Sequence, residues 1–126
     1  MTEKKEKESG GAQVIDERRF WVLADSVGDS TFLKEMVMEF LEELPAKFKD
    51  FPDKLAGGQF EEIARECHKY KSTSGIFGME QLSSTLLLLE KAAQERDPVE
   101  IKRMIVMGST DLDSACISVA ALLAKN

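Results

Sequence analysis

The sequence predicts an all-α fold: an up-and-down four-helix bundle with a short additional N-terminal helix. Three observations lead there. Apolar residues recur three and four apart through four long segments, no segment alternates with period two, and the connections are short and marked by Gly, Asp or Pro. A chain of 126 residues suggests one domain. Residues 14–126 are assigned to the bundle and 1–13 to a disordered tail, because the tail is mostly Glu, Lys, Gly and Ser with almost nothing to bury.

Each element has its own signals. Asp16 is expected to cap the short first helix, with Ile15 and Phe20 at the two positions of a hydrophobic staple. Phe20, Leu23, Ala24 and Val27 mark one face and Gly28 ends it. The second helix starts at Asp29 or Ser30 and carries Leu33, Val37, Phe40, Leu44, Phe48, Phe51 and Leu55 as one seam. Pro45 and Pro52 each remove a backbone donor, but the seam runs on across both, which predicts one bent helix rather than two. Gly57-Gly58 is the stop.

The third helix is expected from about Gln59 to Phe77, with Phe60, Ile63, Cys67, Tyr70 and Ser74 inward and Gly78 closing it in the left-handed conformation. The fourth runs from Met79 to about Glu95 on Leu82, Leu86, Leu89 and Ala93. Asp97-Pro98-Val99-Glu100 opens the fifth: Asp caps, Pro fits the first turn and Glu reaches back to the cap. Its stripe is Ile101, Met104, Ile105, Gly108, Leu112, Cys116, Val119 and Leu123, weakened at Gly108. An even seam on every helix predicts a monomer.

Composition narrows the function classes. The net charge is -6 and the lysines are interleaved with acids, which argues against nucleic acid as a partner. No apolar run approaches the roughly 20 residues of a membrane span; Leu86 to Leu89 is a run of four leucines between polar residues. The N-terminus lacks the apolar stretch of a signal peptide, and Cys67 and Cys116 sit at apolar helical positions as reduced thiols would. Together these predict a cytoplasmic protein.

The chemistry concentrates in Cys67-His68-Lys69-Tyr70-Lys71-Ser72-Thr73-Ser74-Gly75-Ile76-Phe77-Gly78, which holds the single histidine of the chain. At about 100° per residue, His68 falls about 140° from Ile63, on the flank of the buried stripe, so its ring should reach water. Ser72 and Gly75, one and two turns on, are small and leave room for a second protein beside the ring. Arg65, Lys69 and Lys71 put positive charge around it. Imidazole as a class titrates near neutrality, so its free nitrogen attacks phosphorus without a separate base. The phosphorylated product carries nearly two negative charges that lysine can stabilise. A lone helical histidine is more often a boundary residue without a task, and the lysines alone are ordinary solvated charges. Gly75 costs about 1 kcal/mol relative to Ala inside a helix, for which tight helix packing and a docking face are both adequate reasons. A metal site is poorly supported: Cys67 and His68 are adjacent, and Arg65 stands three before the histidine where a Glu-x-x-His motif would need Glu. A carboxylate cluster from facing helices is left open.

His68 to Gly78 resembles the signature of histidine-containing phosphotransfer domains, His-x-x-Lys-Gly followed by Gly ten positions after the histidine and Leu four further on. Lys71, Gly78 and Leu82 match, and Glu90 matches an acidic residue common later in the next helix. Ile15-Asp16, Gly28-Asp29, Phe32-Leu33 and Phe40 extend the likeness over about residues 14–123. The resemblance implies a phosphorelay intermediate whose His68 receives a phosphoryl group from a receiver-domain aspartate and passes it to another receiver. Its partners would be receiver domains of response regulators or hybrid histidine kinases. Lys71 would assist the phosphate, with Lys69 as a second candidate, and Gly78 would serve the turn. Such carriers use no cofactor, metal or ATP site of their own. Ser72 departs from the family's Gly; its hydroxyl could bond the imidazole or phosphate, or crowd the receiver. Tyr70 replaces a common Leu in a buried phase. Arg65, Ser72 and Gly75, with Phe20 and Trp21 from the first helix, form the expected docking surface, against a reading in which both aromatics are core. The alternative function is a helical adaptor that binds a receiver or other regulator through the same face without being phosphorylated.

Overall fold

The computed structural model describes residues 13–124, and the expected tail therefore lies, up to residue 12, outside the described residues. Among the described residues five helices follow one another: α1 Glu17–Val27, α2 Ser30–Ala56, α3 Phe60–Ile76, α4 Glu80–Gln94 and α5 Pro98–Ala124. No strand occurs among the described residues. The four long helices form the expected up-and-down bundle, with α3 between α2 and α4, α5 closing the ring against the same two neighbours, and α1 lying on α2 and α3. Helices α3 and α5 are thus diagonal.

The capping residues act as their chemistry predicts. The Asp16 carboxylate accepts from the Arg19 N–H at 3.1 Å, and that of Asp29 from Thr31 and Phe32 at 3.0 and 3.3 Å. Helix α2 runs unbroken through Pro45 and Pro52. Its seven seam residues, Leu33 to Leu55, are all buried, so core packing outweighs the two lost backbone donors. Asp97 caps α5 through the Glu100 N–H at 3.1 Å. Glu100 itself does not reach back. Its carboxylate takes two bonds from Arg103, because the Asp97 N–H is already given to the Ala92 carbonyl.

Two glycines position what matters later. Gly78 ends the α3–α4 turn at φ 80°, and its carbonyl accepts the Asp16 N–H at 2.6 Å. A Cβ there would stand 2.8 Å from the Asp16 carbonyl oxygen, so the close approach as well as the left-handed backbone requires glycine. This contact pins the start of α1 to the end of α3. Gly108 was expected only to weaken α5; instead it makes room, since a Cβ there would lie 2.6 Å from the Phe48 ring. By length and mean hydropathy α5 could cross a membrane. Its Ile101, Met104, Leu112, Ala115, Val119 and Leu122 are nevertheless buried in the bundle core, and Asp111 sits in its middle.

Candidate functional site

His68 sits midway along α3 with its side chain 64% exposed. The stripe Ile63, Cys67, Tyr70 and Ser74 is buried, which rotates the imidazole to the edge facing α4. There Glu90, only 9% exposed, brings its Oε2 to 3.1 Å from His68 Nδ1. Its other oxygen accepts from Lys71 Nζ at 3.1 Å, and that ammonium lies 3.5 Å from Nδ1. One carboxylate therefore ties together a histidine and a lysine one turn apart on the facing helix. A carboxylate only accepts, so the neutral ring carries its proton on Nδ1 and donates it to Glu90. The lone pair is then on Nε2, at the exposed end of the ring.

The neighbours leave the imidazole as the reactive group. Burial, with Glu90 and Glu66 adding to it, pushes the Cys67 thiol far above its ordinary range, so it is inert. Burial likewise pushes the Tyr70 phenol up to about 12. The Ser72 hydroxyl donates to the His68 main-chain carbonyl at 3.2 Å, which removes it from the imidazole and folds it back on its own helix. Ser83 of α4 donates to the Lys71 carbonyl at 3.1 Å and braces the two helices beside the site.

The structure brings together His68 and Lys71 from the expected set and adds Glu90. It does not bring Lys69: that ammonium lies 5.2 Å over the Tyr70 ring, on the flank facing α2. Arg65 is exposed one turn before His68, in a polar depression with Glu61, Glu62 and Arg96. Phe20 is fully buried, which corrects its assignment to the docking surface: the staple with Ile15 turns it into the core. Trp21 is half-buried, edge-on to Phe20, and its indole N–H donates to Glu17 at 3.3 Å. Residues of α1 not expected at the docking surface line a groove on the flank of α3 that also carries His68. They are Arg19, Val22, Leu23 and Ser26, and they enclose about 490 Å³ with Ser72, Gly75 and Ile76 of α3. Val22 and Ile76 are each 58% exposed along it, and Arg19 holds it together by donating to the Gly75 carbonyl at 3.1 Å. A larger apolar groove of about 590 Å³ lies between α2 and α5 and contains none of these residues.

Gly75 separates its two explanations. A Cβ there would meet only Ser83 Oγ at 3.6 Å, an ordinary contact. Packing against α4 therefore does not demand glycine, and Gly75 also lines the groove between α1 and α3.

No curated protein and no solved structure was found to match the chain. A family model described as the Hpt domain matches residues 35–121, more than half the sequence and the whole of α3 and α4. The matched stretch includes His68, Lys71, Gly78 and Glu90, in the helical bundle that this family builds. The chain belongs to the Hpt domain family, the histidine phosphocarriers of two-component signalling.

Proposed function

We propose that the protein is a phosphorelay intermediate in which His68 Nε2 takes a phosphoryl group from a receiver-domain aspartate and gives it to another receiver. The observation that carries this reading is the 3.1 Å contact of His68 Nδ1 with the Glu90 carboxylate on a side chain 64% exposed, which with the proton on Nδ1 leaves the Nε2 lone pair for phosphorus. In the forward step the Nε2 lone pair attacks phosphorus, an N–P bond forms, the acyl phosphate P–O bond breaks and the aspartate leaves as carboxylate. The ring acquires positive charge as the bond forms, and the Nδ1–H held by Glu90 is where that charge is met. Return of the phosphoryl group to a second aspartate runs the same steps backwards. Lys71 holds Glu90 in place before transfer, and the phosphoryl oxygens then compete for its ammonium. The chemistry that positions and activates the aspartate belongs to the receiver.

The receiver docks over the groove between α1 and α3, next to the imidazole. Val22 and Ile76 offer apolar contact there, and Ser72 and Gly75 offer clearance. Such an intermediate works in the cytoplasm, where receivers are.

The test is transfer from a panel of phosphorylated receiver domains, with His68→Gln as control. Acid-labile label on the wild type that is absent from the variant is the expected result. Binding of a receiver without any label would overturn the reading in favour of an adaptor that uses the same groove.

A further inference from the structure

The outer face of α5 carries a line of exposed apolar residues that the bundle does not use, with Arg103, Thr110 and Asp113 beside it. Val99, Val106 and Ile117 are 77%, 67% and 71% exposed. At about 100° per residue they lie within about 20° of one line along the helix, and the stripe spans about 27 Å. Beside its N-terminal half is the apolar groove of about 590 Å³, lined by Pro52, Leu55, Pro98, Lys102, Ile105 and Val106.

We propose that this face pairs with a second copy of the same chain, α5 against α5 in antiparallel orientation about a two-fold axis beside Gly108. The arrangement is self-complementary, as an isologous contact must be. Val99 and Ile117 stand nine residues either side of Gly108, so each meets the other of the second copy. Val106 and Thr110, two residues either side, meet at the centre. The two-fold also brings Lys102 to the same edge as Asp113 of the second copy, offset by about 1.5 Å along the axis. Among the described residues neither has an ion-pair partner within its own chain. A parallel pairing would instead set Lys102 against Lys102 and Asp113 against Asp113. The Ile117 of the second copy comes level with the mouth of the groove, whose apolar walls are otherwise open to water.

Because α5 is diagonal to α3, the pair leaves both His68 faces outward. A dimer could then carry two phosphoryl groups at once. The monomer expected from the even seams took account of the buried stripes only.

Sedimentation velocity tests this on the full chain from about 5 to 500 µM, a range suited to a short single-helix interface. The wild type should pass from the mass of one chain to that of two. Ile117→Glu should weaken association at least tenfold without changing the helical circular dichroism, since the side chain is exposed. Lys102→Glu and Asp113→Lys should each weaken it, and the double variant should restore it. A wild type that remains monomeric at the highest concentration overturns the proposal. So does a dimer indifferent to Ile117→Glu, or a charge-swapped double variant no tighter than its singles.

Discussion

Two acidic side chains are equally buried in this bundle, Glu90 on α4 and Asp111 on α5, each 9% exposed, and they live in different chemistry. Glu90 lies between a histidine and a lysine at the surface edge of the α3–α4 seam. Asp111 lies in the α4–α5 seam and takes a hydrogen bond from the Thr85 hydroxyl, a neutral donor. Burial pushes the Asp111 carboxyl above its usual range, and the single bond from Thr85 opposes that only in part. A buried carboxylate with two cationic or ionisable partners can organise a reaction. One with a lone hydroxyl joins two helices and resists ionising. The glycines repeat the contrast: Gly75 faces a groove left empty, whereas the place of a Gly108 side chain is taken by Phe48.

The largest effect should come from removing Glu90. Glu90→Ala frees the ring to rotate and to place its proton on either nitrogen, and it releases Lys71. Rapid-quench transfer from a phosphorylated receiver should slow by about 10- to 100-fold, the range found when a metal-bound histidine loses the carboxylate that orients it. Receiver affinity should stay within about twofold, because Glu90 is buried away from the groove. Glu90→Gln keeps an acceptor for Nδ1–H but loses the charge, so it should fall between the two. Equal transfer by wild type and Glu90→Ala would reduce Glu90 to another Asp111, a packing residue with no part in transfer.

The glycine pair sharpens the comparison from the packing side. Gly108→Ala drives a methyl group into the Phe48 ring, and overpacking of a buried site should cost about 2 kcal/mol in urea unfolding despite the better helix propensity. Gly75→Ala should do the opposite and stabilise by about 0.5–1 kcal/mol, since the new methyl meets only Ser83 and alanine is the better helix former. The same methyl narrows the groove beside His68, so receiver binding should weaken severalfold. A variant that is more stable and binds worse is the mark of a glycine kept for a partner. Unchanged binding would return Gly75 to the ordinary residues of α3.

The fold was legible because its determinants are local. Periodicity gave the helices, and Asp16, Gly28, Asp29, Gly78 and Asp97 gave their ends; each of these acts on backbone within a few residues of itself. His68 was legible for the same reason, since its phase on α3 follows from the stripe. The His68–Glu90 bond is tertiary, and only a family likeness pointed to Glu90. A signal was present all the same. His68 lies ten residues before Gly78 and Glu90 twelve after it, so an antiparallel hairpin turning there brings them to nearly the same height. Phe20 and Trp21 show the limit in the other direction. The staple position and the apolar face already marked Phe20 as inward, whereas how much of Trp21 is covered depends on where α1 is pinned by the Asp16–Gly78 contact. Lys69, a second candidate on the family likeness, shows the same dependence on helix phase: one residue is about 100° of rotation, enough to carry its ammonium over Tyr70.

Asp111 supplies a small effect with the clearest sign. Its carboxyl has a raised pKa in the folded protein, so the folded state holds that proton to higher pH than the unfolded chain does. The favourable contribution is fully present below the unfolded carboxyl pKa of about 3.9 and is lost as pH rises through the folded value. At neutral pH the ionised side chain is a burden on the α4–α5 seam. Asp111→Asn keeps an oxygen to accept from Thr85 and removes the charge, so it should stabilise by about 1 kcal/mol at pH 7. The gain should shrink on acidification, because protonation gives the wild type the same neutral seam. Urea unfolding of both proteins between pH 3 and 8 measures it. A gain constant across that range would mean that the asparagine packs better and that charge has no part in it. A loss at every pH would mean that Thr85 holds the carboxylate well enough to favour its ionised form, and that Asp111 resembles Glu90 more closely than its neutral partner suggests.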